Sequence, residues 1–328
     1  MSLTLCLTTP EGIVLAADSR QTYRNNVGAS RIGSDSATKI FVVNRHIGVT
    51  VAGPAFLKDP DDQNGGTKGI GSFVQDFVKQ LDEKATVESV AEGLKDFLTK
   101  VYQPDKQLEE AEKELLRRIN EMKGTVVKTE KQKEGGQVVV HFTDSNGKVN
   151  QGAAGIMPIS LMVAGYDQPP KESKGKEKKN GKPELSVYMA YVPGPTQHKR
   201  KHGDGNQFGA NWTGQTDVVT RIILGRDPRA HDLEFVRAAI QNHGEQKVNN
   251  DFGMLEYNIN WGAMTLRDAI DFASLMIETT SAIQRFSDGI RLAPGDMPGV
   301  GGPIDVAVIL PYDGFHWHKN KELELKKV

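Results

Sequence analysis

The chain has 328 residues, a formal net charge of −1 and a pI of about 6.7. That length suits one large domain or two small ones, and the near-neutral charge lacks the positive field on which a dedicated nucleic-acid binder draws. Its single cysteine, Cys6, excludes an internal disulfide, no apolar run reaches the roughly 18 residues of a membrane span, and no basic-then-apolar leader precedes the first apolar run. The expectation is a soluble, cytoplasmic protein with neither a membrane nor a nucleic-acid partner. Cys6 alternates with Leu5 and Leu7, so a buried structural thiol is expected rather than a reactive one.

The stretch from Met1 to Gly53 organises the rest. An apolar run through Leu3, Leu5 and Leu7 meets the turn residues Pro10, Glu11 and Gly12, and a second run, Ile13 to Ala17, returns from it. Ile40 to Val43 and Ile47 to Val51 likewise bracket Asn44 and Arg45. Short runs rich in β-branched residues and bounded by turn formers predict two consecutive hairpins. A sheet therefore begins at the start of the chain. An initiator methionine followed by a small residue is normally trimmed, which would leave Ser2 with a free α-amine inside a strand. An α-amine titrates at about pH 8, so a hydroxyl and a base would share one residue, as a serine nucleophile requires. Asp18 and Lys39 lie at the ends of neighbouring segments that can return to Ser2. A Lys39 ammonium would lower the pKa of amine and hydroxyl, and Asp18 would hold that ammonium charged and aimed.

Three motifs, Gly12 to Arg20, Ser34 to Ile40 and Ile47 to Gly53, resemble those of a proteasome β-type subunit. The resemblance implies an N-terminal-nucleophile (Ntn) hydrolase of α+β class, a four-layer αββα sandwich assembled into rings. It places the family's nucleophilic threonine on Ser2, its aspartate on Asp18 and its lysine on Lys39, and the oxyanion-stabilising N–H in the turn of Ala52 and Gly53. One domain is expected over residues 1–328, with insertions at about 104–155, 169–183 and 227–262.

After Gly53 a polar loop carries Asp59, Asp61 and Asp62, without the glycine and glutamate that complete an EF-hand. Phe73, Phe77, Val78 and Leu81 recur at helical spacing. So do Val87, Val90, Leu94, Leu98 and Val101, behind Thr86 as N-cap. From Lys106 to Met122 a charged segment has a thin stripe of Leu108, Leu115, Leu116 and Ile119. Strands are predicted at Thr125–Thr129 and Gln137–Phe142, with a turn at Asp144–Gly147. This inserted helix and hairpin is expected to lean on the main body or on a neighbouring subunit. Strands resume at Ile159–Asp167 and Leu185–Val192. The lysine-rich run Pro169–Pro183 between them reads as a solvated hairpin tip, because it has no apolar surface to offset ordering and no aromatics to stack bases.

Gln197 to His202 is basic and flanked by Pro195 and Gly203, so it reads as a loop, and His198 and His202 are not expected to bind metal. Asn211 to Gln215 precede a helix carrying Val218, Val219, Ile222 and Ile223. Thr213 stands where the resemblance has a serine that hydrogen-bonds the nucleophile's amine; equally, it caps the helix. Leu233, Val236, Ala239 and Ile240 suggest a helix, with an irregular segment at Tyr257–Trp261. Thr265 to Phe286 is the longest clean helix, with Leu266, Ala269, Ile270, Ala273, Ile277 and Ile283 on its apolar face. Val300 to Pro311 fits a closing strand and Gly314 to Lys319 another, with His316 and His318 facing solvent. Family members carry an aspartate and, three residues on, a serine just before the paired glycines. Here those positions hold Met297 and Val300; Asp296 is one residue out of register and the serine has no replacement. The run from Val300 to Asp305 is closer to bacterial proteasome-like homologues such as the Anbu type.

The leading expectation is a peptidase in which Ser2 attacks a peptide carbonyl, its own amine takes the proton, Lys39 and Asp18 tune the pair, and Thr213 and Asp296 support them. Backbone N–H at Gly53 stabilises the oxyanion. Substrates are peptides or unfolded proteins and the assembly is a homo-oligomeric ring, with an ATPase partner left open; no cofactor and no metal is expected. The alternatives are an inactive structural ring subunit of the same fold and a small-amide or acyl hydrolase.

Overall fold

The computed structural model describes residues 2–24, 30–62, 64–82, 84–169, 181–290, 293–294 and 298–321. Most of the lysine-rich run, with Asp296 and Met297, lies outside them. The first half of the chain contains β1 (Leu3–Thr8), β2 (Ile13–Ala17), β3 (Gln21–Arg24), β4 (Ser30–Ser34), β5 (Ile40–Asn44), β6 (Ile47–Ala52), β7 (Phe56–Lys58), β8 (Thr67–Gly69), α1 (Ile70–Val78), α2 (Val87–Tyr102), α3 (Pro104–Glu121), β9 (Thr125–Gln132), β10 (Gln137–Thr143), β11 (Val149–Gly155) and β12 (Ile159–Asp167). The second half contains β13 (Glu184–Val192), β14 (Thr196–Lys201), β15 (Gly209–Gly214), α4 (Asp217–Leu224), α5 (Glu234–His243), α6 (Glu245–Gly253), α7 (Leu266–Phe286), β16 (Gly289–Ile290), β17 (Ala293–Pro294), β18 (Asp305–Leu310) and β19 (Gly314–Lys319). The chain divides into two compact units, residues 1–38, 208–310 and 316–328 in one and 39–207 with 311–315 in the other.

In the first unit the sheet order is β15-β1-β2-β18-β19. Every residue of β1 and β2 is buried, Thr4 and Thr8 included. One face packs on α4 and α7 through Leu3, Leu5, Val14, Ala16, Val219, Ala273 and Ile277. Cys6 is buried, as a structural thiol would be. A capping box of Thr265 and Asp268 starts α7, and its apolar stripe runs through Ala269, Ala273, Ile277 and Thr280. Ile283 does not continue that stripe: it is exposed, and Gln284 takes the half-buried position in the last turn. The segment before α7 holds two helices, α5 and α6, where the spacing predicts one.

In the second unit the sheet order is β14-β13-β12-β6-β5, covered on one face by α1 and α2. Thr86 and Ser89 form a capping box at α2, and the Asp167 carboxylate accepts from Val87 N at 2.8 Å in that helix's first turn. At the other end of α2 the Tyr102 hydroxyl donates to Met157 O at 2.6 Å. Burial pushes this phenol up to about 12, so it stays the neutral donor. Tyr102→Phe is expected to cost about 1 kcal/mol in urea denaturation, the net worth of one such bond; an unchanged midpoint would show that water replaces the contact.

Two segments correct the expectations. The insertion is a helix with a three-stranded sheet, order β11-β10-β9, rather than a helix with a hairpin. Leu108 and Ile119 of α3 pack on Val138, Val140 and Phe142 of β10 in a small core of their own, and at Gly136 the insertion also comes close to Pro193 of the main body. The basic run 197–202 is largely strand: β14 pairs with β13, and His198 stacks on Tyr188 with ring centroids 4.1 Å apart. Lysines on a sheet's edge strand discourage pairing with other chains.

Candidate functional site

The β1–β2 hairpin sets the geometry of the chain start. Its register pairs Thr4 with Ala17, which brings Asp18 opposite Leu3. Asp18 N donates to Leu3 O at 3.2 Å, and Leu3 N donates back to Asp18 Oδ1 at 2.9 Å. The other carboxylate oxygen accepts from Arg20 N and Gly301 N, both at 3.0 Å. Asp18 is fully buried, so these N–H donors replace the water that a buried carboxylate loses. Ser19 adds to the seam: its N donates to Gly301 O at 2.9 Å and its hydroxyl to Pro303 O at 2.6 Å.

Gly301 and Gly302 lie under the ion pair of Arg20 and Asp35, whose guanidinium and carboxylate meet at 2.8 and 3.0 Å. Asp35 raises the Arg20 pKa through this hydrogen bond. A Cβ on Gly301 would stand 2.5 Å from Arg20 Cζ, and one on Gly302, at φ +73°, would stand 2.7 Å from Asp35 O. The left-handed backbone and the nearby Asp35 main chain favour glycine at 302, whereas the neighbour at 301 is the end of a flexible side chain.

Ser2 is 6% exposed, and its carbonyl accepts from Gln215 N at 2.6 Å. Beside it Gly214 has φ +96° in a position where a Cβ would fall 1.9 Å from Ser2 O. Thr213 does not cap the helix that follows. It lies in β15 opposite Thr4, and the two hydroxyls are 2.9 Å apart; Thr216 holds the N-cap position of α4. Thus the first unit brings together the main chain of Ser2, the carboxylate of Asp18 and the hydroxyl pair of Thr4 and Thr213. Val300 packs in the apolar core and is fully buried.

Lys39 and Gly53 belong to the second unit. Lys39 is buried, and its carbonyl accepts from Val51 N at 2.9 Å, which fixes its place at the entry of β5. Gly53 follows β6 with φ +142°, and a Cβ there would lie 2.8 Å from Pro158 O and 3.0 Å from Ile159 Cα. The start of β12 therefore imposes a glycine at this turn.

Reading the residues alone missed Gln215, Gln284 and Gly301, because a main-chain hydrogen bond across distant segments leaves no pattern in sequence. Gln284 did carry a signal: it stands one heptad after Ile277, a polar residue in line with an apolar stripe. Among the described residues no group of His, Cys, Asp and Glu is arranged to hold a metal ion. His316 and His318 are exposed on β19. No helix of the described residues is long and apolar enough to cross a membrane.

No curated protein matches the chain. Among solved structures it is similar to an Anbu (Gly-1) mutant from Hyphomicrobium sp. strain MC1, with 12% identity and a TM-score of 0.42 over 98% of this chain and 86% of that one. It is also similar to Anbu, an ancestral beta-subunit, from Yersinia bercovieri, with 13% identity and a TM-score of 0.40 over 96% of this chain and 86% of that one. Residues 2–55, the segment that carries Ser2, Asp18, Lys39 and Gly53, match the proteasome subunit family.

Proposed function

We propose that the chain is a proteasome-like subunit that hydrolyses peptide bonds with Ser2 as nucleophile, inside a homo-oligomeric ring in the cytoplasm. In this reading residues 1–328 form one Ntn-hydrolase domain, a four-layer αββα sandwich with insertions at about 104–155, 169–183 and 227–262. The observation that carries it is the family match over residues 2–55, in a chain whose Asp18 carboxylate is bonded to the amide directly after Ser2.

With Met1 removed, the Ser2 hydroxyl attacks the substrate carbonyl and a C–O bond forms as the α-amine takes the hydroxyl proton. The oxyanion is met by N–H at Gly53. The protonated amine then gives its proton to the departing peptide nitrogen as the C–N bond breaks, and water hydrolyses the ester that remains on Ser2. Lys39 lowers the pKa of amine and hydroxyl, Asp18 orients it, and Thr213 and Asp296 support the amine. Peptides and unfolded chains are the substrates, with an ATPase as an optional feeder.

The test pairs intact mass with hydrolysis of a fluorogenic peptide. Protein lacking Met1 should cut the peptide, and Ser2→Ala should lose at least about 10³-fold in rate; equal hydrolysis by the variant sinks the reading. The burial of Val300, which offers no hydroxyl, favours a second reading, an inactive structural ring subunit. It predicts a ring on a sizing column, Met1 retained, and no labelling of Ser2 by a nucleophile-directed inhibitor.

A further inference from the structure

A half-buried glutamine in line with a helix's apolar stripe loses water and side-chain freedom, and is stable there only when its amide is bonded. Gln284 of α7 is bonded at both ends. Its Oε1 accepts from two successive backbone groups, Gly299 N at 3.0 Å and Val300 N at 2.9 Å. With two N–H donors on one atom, the other end of the amide is the nitrogen, and Nε2 donates to Gln215 Oε1 at 3.1 Å. Both partners lead to the candidate site. Gln215 N holds the Ser2 carbonyl, and the residue after Val300 is Gly301, whose N–H holds Asp18 Oδ2.

We propose that Gln284 is a positioning residue of this site: one side chain, through Gly299 and Val300 on one side and Gln215 on the other, fixes the two backbone segments that hold Asp18 and Ser2. The idea rests on the Ser2 hydrolase reading for its catalytic consequence, though not for the tie itself. Fixing two consecutive N–H groups on one oxygen sets the course of the backbone into Gly301, so the N–H of Gly301 meets the carboxylate without further ordering. Val300 contributes its backbone to this arrangement while its side chain stays in the core.

Two variants test it by hydrogen exchange read at single amides. Gln284→Met keeps length and volume and removes every hydrogen bond; Gln284→Glu keeps the acceptor for Gly299 and Val300, and Gln215 can turn its own amide to donate to it. Exchange at Gln215 and Gly301 should speed about tenfold in the Met variant and return to near the parent value in the Glu variant. Amides of β5 and β6 should not change. Unaltered exchange at both positions, or an equal rise everywhere, overturns the proposal whether or not the protein cuts peptides. In protein that does cut, the Met variant should lose about tenfold or more in kcat with KM held, and the Glu variant should recover it; an unaltered kcat overturns the positioning role. A parent protein without peptidase activity fails the hydrolase reading alone, and the exchange result still decides the tie.

Discussion

Asp18→Asn is expected to cost about 3 kcal/mol of stability, because an amide cannot reproduce a carboxylate surrounded by donors. Leu3 N meets one oxygen of Asp18, while Arg20 N and Gly301 N meet the other. Whichever way the asparagine turns, its NH₂ group faces at least one backbone N–H, and a fully buried donor is left without an acceptor. Against a total stability of about 5–15 kcal/mol this is a large fraction. It should appear as a fall of roughly 5–10 °C in the thermal midpoint. Under the proposed reading the same change loosens the chain start, and peptide hydrolysis should fall at least about 100-fold, since small misplacements of a reacting group are costly. A variant melting within about 2 °C of the parent would contradict the donor arrangement described for Asp18.

Gly214→Ala should be at least as damaging. A methyl group there would overlap the Ser2 carbonyl, 1.9 Å from its oxygen and 2.8 Å from its carbon, on a residue whose φ of +96° already disfavours any side chain. Both groups belong to the pairing of β1 with β15, where Leu3 stands opposite Gly214. Either Ser2 is displaced or the end of β15 peels away, and the bond from Gln215 N is lost with it. About 4 kcal/mol is expected, with the strain of the backbone and the broken pairing both contributing. Gly203→Ala is the control. Gly203 also has a positive φ, +82°, but no atom lies within 4 Å of its added Cβ, so it should cost only the roughly 1 kcal/mol of the left-handed backbone. Denaturation of the two variants side by side separates the overlap from the backbone term; equal losses would refute the contact with Ser2.

How much of this was legible in sequence depended on how local each feature is. The β1–β2 and β5–β6 hairpins were readable because short apolar runs and the turn residues between them sit within one short window. The helices α2 and α7 were readable because Thr86 and Thr265 announce their first turns and apolar spacing carries them on. Strands β14 and β15 were not, since a strand needs a partner and theirs are distant. Asn211, Thr213 and Gly214 look like turn residues until β1 pairs with them. Likewise β11, with Gly152, Ala153, Ala154 and Gly155, has little strand propensity of its own and takes its form from β10. In the candidate site, the placing of Asp18 beside the chain start followed from counting along one hairpin. The clasp made by Gln215, Gln284 and Gly301 joins three remote segments, mostly through main-chain atoms, and no residue type marks such groups.

The small core of the insertion bears on how the chain can change over time. Where Leu108, Ile119, Val138, Val140 and Phe142 are satisfied by one another, and Lys131 meets Glu112 at 2.6 Å across the same segment, substitutions inside it are answered inside it. Length and surface there can drift, or acquire a new binding face, without shifting the register of β12 on β6. A protein with such an annex has somewhere to vary while the strand pairing beside it is kept.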